Sequence, residues 1–118
     1  MRKLVTVVIA ALLFLSLGAS PAFAGTNGPI VSTDGSTAKF FADGDYFHIC
    51  DTDSDGDSVY VSFYYSGSGG DIRLNWTGGA GTCVNRTYNI GEGKAVYYKS
   101  CQDDAFTDTC SGYVKGTA

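Results

Sequence analysis

The sequence predicts an all-β protein, a single small antiparallel β-sandwich of about seven short strands with two disulfides. A small open β-barrel is the alternative. Three observations carry this expectation. After Ala24 no long stretch repeats apolar residues at i, i+3, i+4 and i+7, the signature of an amphipathic helix. Short runs rich in β-branched and aromatic residues are present instead. Glycine supplies 15 of the 94 residues from Gly25 to Ala118 and gathers between those runs, where turns need it.

The chain opens with a segment that reads as an export signal. Met1-Arg2-Lys3 is positive, Leu4 to Leu17 is apolar apart from Thr6 and Ser16, and Ala22-Phe23-Ala24 has the small-x-small form of a cleavage site. The apolar core spans 14 residues, short of the ~20 that a bilayer-spanning helix needs. Residues 1–24 are therefore expected to be removed, leaving a secreted, extracellular protein with no membrane insertion after cleavage.

Residues 25–36, rich in Gly, Ser, Thr, Asn and Pro, read as a flexible N-terminal arm. The β-sandwich is expected over 37–118. Its strand runs are Thr37–Ala42, Asp45–Asp51, Ser58–Ser66, Asp71–Thr77, Thr82–Asn89, Lys94–Gln102 and Thr109–Lys115. Alternation is cleanest in two of them. Val59, Val61, Phe63 and Tyr65 oppose Tyr60, Ser62 and Tyr64, and Ile72, Leu74 and Trp76 oppose Arg73, Asn75 and Thr77. A period of two is what a strand with one buried face requires. Trp76 follows Ile72 and Leu74 in register and is expected in the core.

Charge excludes whole classes of partner. Arg2 and Lys3 lie in the signal, so residues 25–118 hold six basic and twelve acidic side chains, a net of −6. A nucleic-acid backbone demands clustered Lys and Arg, and an anionic membrane surface demands the same. Neither partner is expected.

All four cysteines (Cys50, Cys83, Cys101, Cys110) follow the signal. An even count in a small exported domain reads as disulfides. Four cysteines allow three pairings. Cys101–Cys110 is favoured because the residues between them read as a hairpin loop, and Cys50–Cys83 then follows by elimination. On the chain-entropy model, closed loops of about 10 and 34 residues contribute ~2.7 and ~3.8 kcal/mol. Zinc is a poor competitor, since there is no C-x-x-C and His48 is the sole histidine.

The sharpest local motif is Asp51-Thr-Asp53-Ser-Asp55-Gly56-Asp57. Alternate carboxylates ahead of a glycine suit a hard cation, and calcium at Asp51, Asp53, Asp55 and Asp57 is the one cofactor the sequence suggests. The flanks read as strands, and the twelfth position, which should be Glu in an EF-hand loop, is Ser62. The competing reading is an acidic turn in which Asp side chains bond nearby N–H groups.

The mature chain also carries eight Tyr. Tyr60 and Tyr64 lie opposite the apolar face of their strand and are expected to be exposed and to bind ligand; Tyr98 and Tyr113 are expected to be exposed as well. Such rings stack on sugars or anchor protein partners. The competing reading is that Tyr is simply a good strand former. Catalysis is weakly supported. Any Ser-His-Asp arrangement must use His48, there is no G-x-S-x-G elbow, and so small a chain leaves little room for a substrate cleft. No enzyme activity is expected.

Cys50-Asp51 leading to Asp55-Gly56, Gly79-Ala-Gly-Thr-Cys83, Cys101 and the ending from Cys110 to Ala118 resemble the small secreted, β-rich, four-cysteine proteins of actinobacteria. The resemblance spans about Thr37 to Ala118. It implies export, a β-sandwich and two disulfides, and it supplies no activity. In that family the middle of the acidic turn is often not acidic, whereas Asp53 fills it here. The expected function is a non-catalytic extracellular binding module for a carbohydrate, a cell-wall component or a protein. The alternatives are an inhibitor or effector of another secreted protein, presenting a turn such as Ser66 to Asp71, and a structural protein of the cell surface.

Overall fold

The computed structural model describes residues 25–118; the expected signal at 1–24 lies outside the described residues. Nine strands and no helix appear among them: β1 (Val31–Thr33), β2 (Ser36–Phe41), β3 (Tyr46–Asp51), β4 (Val59–Tyr65), β5 (Ile72–Trp76), β6 (Thr82–Thr87), β7 (Ala95–Gln102), β8 (Thr109–Cys110) and β9 (Val114–Thr117). They form two antiparallel sheets. One has the order β1-β2-β3-β6, the other β5-β4-β7-β8, with β9 also paired to β7. The all-β class and both predicted disulfides are present, with Cys50 bonded to Cys83 and Cys101 to Cys110.

The two-residue period decides what the sheets enclose. Ala38 and Phe40 of β2, Phe47 and Ile49 of β3, Val59, Val61 and Phe63 of β4, and Val96 and Tyr98 of β7 are all buried between the layers. Phe47 stands at the centre of an aromatic cluster. Its ring centroid lies 4.6 Å from Phe63, 5.2 Å from Phe40 and 5.6 Å from Tyr98. Burying each such side chain contributes roughly 1.5–3 kcal/mol. Trp76 packs on the edge of this core, half-buried, and donates its ring N–H to Thr82 Oγ1 at 2.9 Å.

The segment expected as a flexible arm is instead tied into the sandwich. Val31–Thr33 pairs with β2, and Val31 is buried. Thr26 exchanges two backbone hydrogen bonds with Thr117, and Gly28 N–H donates to the Phe40 carbonyl. Tyr98 donates its hydroxyl to the Pro29 carbonyl. Glycine here permits close approach. A Cβ on Gly28 would fall 2.2 Å from the Tyr98 hydroxyl, and one on Gly116 would fall 2.7 Å from the Phe40 ring.

The last predicted run, Thr109–Lys115, is interrupted. Cys110 pairs with Cys101 and Val114 with Tyr98, so Ser111, Gly112 and Tyr113 face only Lys99 and Ser100. One extra residue opposite a continuous strand is a β-bulge. Ser111 secures it, receiving the Ser100 N–H on its Oγ at 3.0 Å and donating its own N–H to the Ser100 carbonyl at 2.9 Å.

Candidate functional site

The outward face of the five-stranded sheet collects tyrosines and cations. On β4 the outward residues are Tyr60, Ser62 and Tyr64; their partners on β7 are Cys101, Lys99 and Tyr97. Arg73 and Asn75 of β5 face Ser62 and Tyr60 from the other side. The bulge resets the alternation after Cys110, and Tyr113 thereby joins this face.

At its centre Tyr64 and Tyr97 stack at 5.1 Å with 19° between ring planes, and Tyr113 meets Tyr64 edge-on at 5.2 Å. Tyr64 and Tyr113 are 36% and 41% exposed. Lys99 Nζ sits 4.8 Å from the Tyr113 ring centre, and Lys115 is the cross-strand neighbour of Tyr97. The Tyr113 hydroxyl donates to the Asp71 carboxylate at 3.1 Å. Loss of hydration, then this carboxylate, raises the Tyr113 pKa above its ordinary value. The phenol therefore stays a neutral donor at physiological pH.

Tyr60 departs from expectation. It lies on the outward face yet is only 6% exposed. The Arg73 guanidinium covers its ring at 3.6 Å, and its hydroxyl donates to Asp108. Arg73 is held in turn by Asp103 at 2.8 Å and Asp108 at 3.7 Å. Burial first, and Asp108 second, push the Tyr60 pKa up to about 12. Tyr60 is thus a supporting post beneath Arg73 and has no free ring face to offer a ligand. Tyr98 is also corrected: it is fully buried, and its neighbour Tyr97 faces outward. Adjacent tyrosines look alike to a period-two reading, since a one-residue slip exchanges their faces.

The acidic loop is organised by its own hydrogen bonds. Asp51 is the buried last residue of β3, and its Oδ1 accepts the Asp53 N–H at 3.1 Å. Asp55 Oδ1 accepts the Asp57 N–H at 2.9 Å. Gln102 donates to both Asp55 and Asp57. These are the turn-forming bonds of the competing reading. Among the described residues only His48, Cys50 and Cys83 bring three potential ligand atoms within 4.8 Å of one another; the four Asp carboxylates do not. Beside the loop lies an open hollow of about 290 Å³ lined by Asp51, Asp57 and Thr77 among others.

Two further features escaped the sequence reading. Phe106 is fully exposed on the loop that Cys101–Cys110 closes. His48 stands against the other disulfide, its Nε2 3.4 Å from Cys50 Sγ. Both disulfides suit an oxidising, extracellular environment, and no helix among the described residues is long and apolar enough to cross a membrane. No family model, curated protein or solved structure matches the chain.

Proposed function

We propose that this is a secreted, non-catalytic binding module whose ligand is an extracellular glycan, held on the outward face of the five-stranded sheet. The observation that carries this reading is the Tyr64–Tyr97–Tyr113 group. Flat rings offer the apolar faces of sugar rings a stacking surface, and their hydroxyls offer hydrogen bonds. Lys99 and Lys115 supply donors around the rings, and strands hold the whole array at fixed spacing. The Tyr60–Arg73–Asp108 column braces one side of it. Export through the N-terminal signal would bring the face to its ligand.

The test is a polysaccharide pull-down with the secreted protein and a Tyr64→Ala, Tyr97→Ala double variant. Binding that falls about tenfold or more, with the melting temperature tracked as a folding control, supports the site; tenfold corresponds to about 1.4 kcal/mol. Full binding by the double variant would remove this face from the function. A second reading, an inhibitor or effector of another secreted protein, draws on Phe106. A fully exposed aromatic on a disulfide-closed loop has the form of an interface anchor. Phe106→Ala should abolish capture of such a partner and leave glycan binding intact.

A further inference from the structure

The outward face of the four-stranded sheet carries a compact square of side chains. His48 faces Asn85 across β3 and β6, and Cys50 faces Cys83 one step along the same side. His48 Nδ1 lies 2.7 Å from Asn85 Oδ1. An amide oxygen has no proton, so the ring N–H is the donor. That bond turns Nε2 toward Cys50 Sγ, 3.4 Å away. Lys39 faces His48 from β2 and adds positive charge to the same surface.

The two disulfides differ in access. Cys83 is exposed and Cys50 half-buried. In the other bond Cys101 is fully buried and Cys110 half-buried, with the Tyr60 hydroxyl 3.9 Å from Cys110 Sγ. The first bond alone pairs an exposed sulfur with an imidazole nitrogen at its other sulfur.

We propose that Cys50–Cys83 is a thiol-exchanging disulfide, in which Cys83 Sγ is the attacked sulfur and His48 assists departure of Cys50, with a dithiol as co-reactant. The dithiol first gives a proton to His48 Nε2, the ring nitrogen left unprotonated by the bond to Asn85, and its thiolate attacks Cys83 Sγ. A new S–S bond forms there, the Cys50–Cys83 bond breaks, and its electron pair leaves on Cys50 Sγ. His48 Nε2 passes the proton it has taken up to that sulfur. The second thiol of the dithiol then attacks the partner sulfur of the mixed disulfide and releases Cys83 as a thiol. Two electrons and two protons pass from the dithiol, which closes to a disulfide, to Cys50 and Cys83. Exchange is faster when the leaving thiolate is stabilised, and the His48 ring beside Cys50, once protonated, does that. Asn85 fixes the ring, the part a carbonyl or amide plays behind other reactive imidazoles. Opening the bond would remove the one covalent tie between β6 and β3. This inference is independent of the glycan reading.

The test uses the oxidised, secreted protein. Limited treatment with glutathione, acid quench and peptide mass mapping would locate the first mixed disulfide; treatment with dithiothreitol followed by alkylation would time each bond. The expected result is a glutathione adduct on Cys83 with a free thiol on Cys50, and opening of Cys50–Cys83 at least about ten times faster than Cys101–Cys110. His48→Gln should slow that opening severalfold while leaving the Cys101–Cys110 rate unchanged. Equal rates for the two bonds, an adduct chiefly on Cys50, or a His48→Gln protein that reacts like the parent would each overturn the proposal. The first two readouts come from the parent protein and hold even where the variant folds poorly.

Discussion

Ser36 Oγ and Ser100 Oγ lie 2.6 Å apart in the interior, one from each sheet, and neither side chain is exposed. They are a buried polar tie between two layers whose shared interior is otherwise mainly hydrocarbon and aromatic rings. A buried hydroxyl without a partner costs about 1–3 kcal/mol, whereas removing both members of a pair costs less. Ser100→Ala should therefore lower stability by about that amount, a fall of roughly 4–8 °C in melting temperature per kcal/mol for a domain of this size. The Ser36→Ala, Ser100→Ala double variant should lose less than the sum of the two single changes. Strictly additive losses in a denaturant double-mutant cycle would show that the hydroxyls do not act as a pair.

Tyr60 predicts an alkaline response. Its folded pKa is raised to about 12 by burial and by Asp108, against 10.0 for the free phenol. A raised pKa means that the folded protein holds the proton more tightly. The associated stability is complete below about pH 10 and drains away as pH climbs toward 12. Tyr60→Phe should flatten part of that decline. It should also cost about 1 kcal/mol at neutral pH, through loss of the hydrogen bond to a half-exposed carboxylate. Chemical denaturation at pH 7, 10 and 11.5 would check both effects. An alkaline slope identical to that of the parent protein would rule out Tyr60 as its source.

Asp57 predicts the opposite end of the scale. A hydrogen bond with the Asp104 carboxyl, then loss of hydration, raises its pKa above 3.8. The folded state again favours the protonated form, so the benefit is present below 3.8 and is lost as pH rises through the shifted value. At neutral pH the two carboxylates repel. Asp57→Asn should raise the melting temperature at pH 7 slightly, with no gain near pH 3. The same melts in EDTA and in millimolar calcium test the cation reading. Calcium at 100 times its dissociation constant would add ~2.7 kcal/mol. An unchanged melt would assign the loop to turn formation alone.

Alternation made β2 through β7 legible, because each is long enough to show a buried and an open face. Val31–Thr33 was hidden by its length, since three residues flanked by Gly28, Pro29 and Gly35 carry no period. Its place is set by tertiary partners, namely the Phe40 carbonyl and the Tyr98 hydroxyl. The bulge at Ser111 was hidden for another reason: an extra residue is defined by the strand opposite, which no local pattern reports. That omission carried over to the candidate site. Tyr64 was read as outward from the polarity of β4, but Tyr97 and Tyr98 could be told apart only by register. Tyr60 shows the same limit, for an outward direction says nothing of what lies on top, and Arg73 lies on top. The pairing of Cys101 with Cys110 was readable because a short hairpin brings its ends together. The contact of His48 with Cys50 needed only their two-residue spacing on one strand, a signal present in the sequence and passed over.

Each covalent cross-tie joins neighbours in one layer: Cys50–Cys83 laces β3 to β6, and Cys101–Cys110 laces β7 to β8. Among the described residues, no covalent cross-link spans from leaf to leaf. Prying the leaves apart is thus resisted by the ring stack around Phe47 and by a few hydrogen bonds such as Ser36–Ser100 and Trp76–Thr82, while shearing β6 from β3 or β8 from β7 must break a sulfur bond. The molecule is built like two stitched pages pressed together, tough along each page and separable between them.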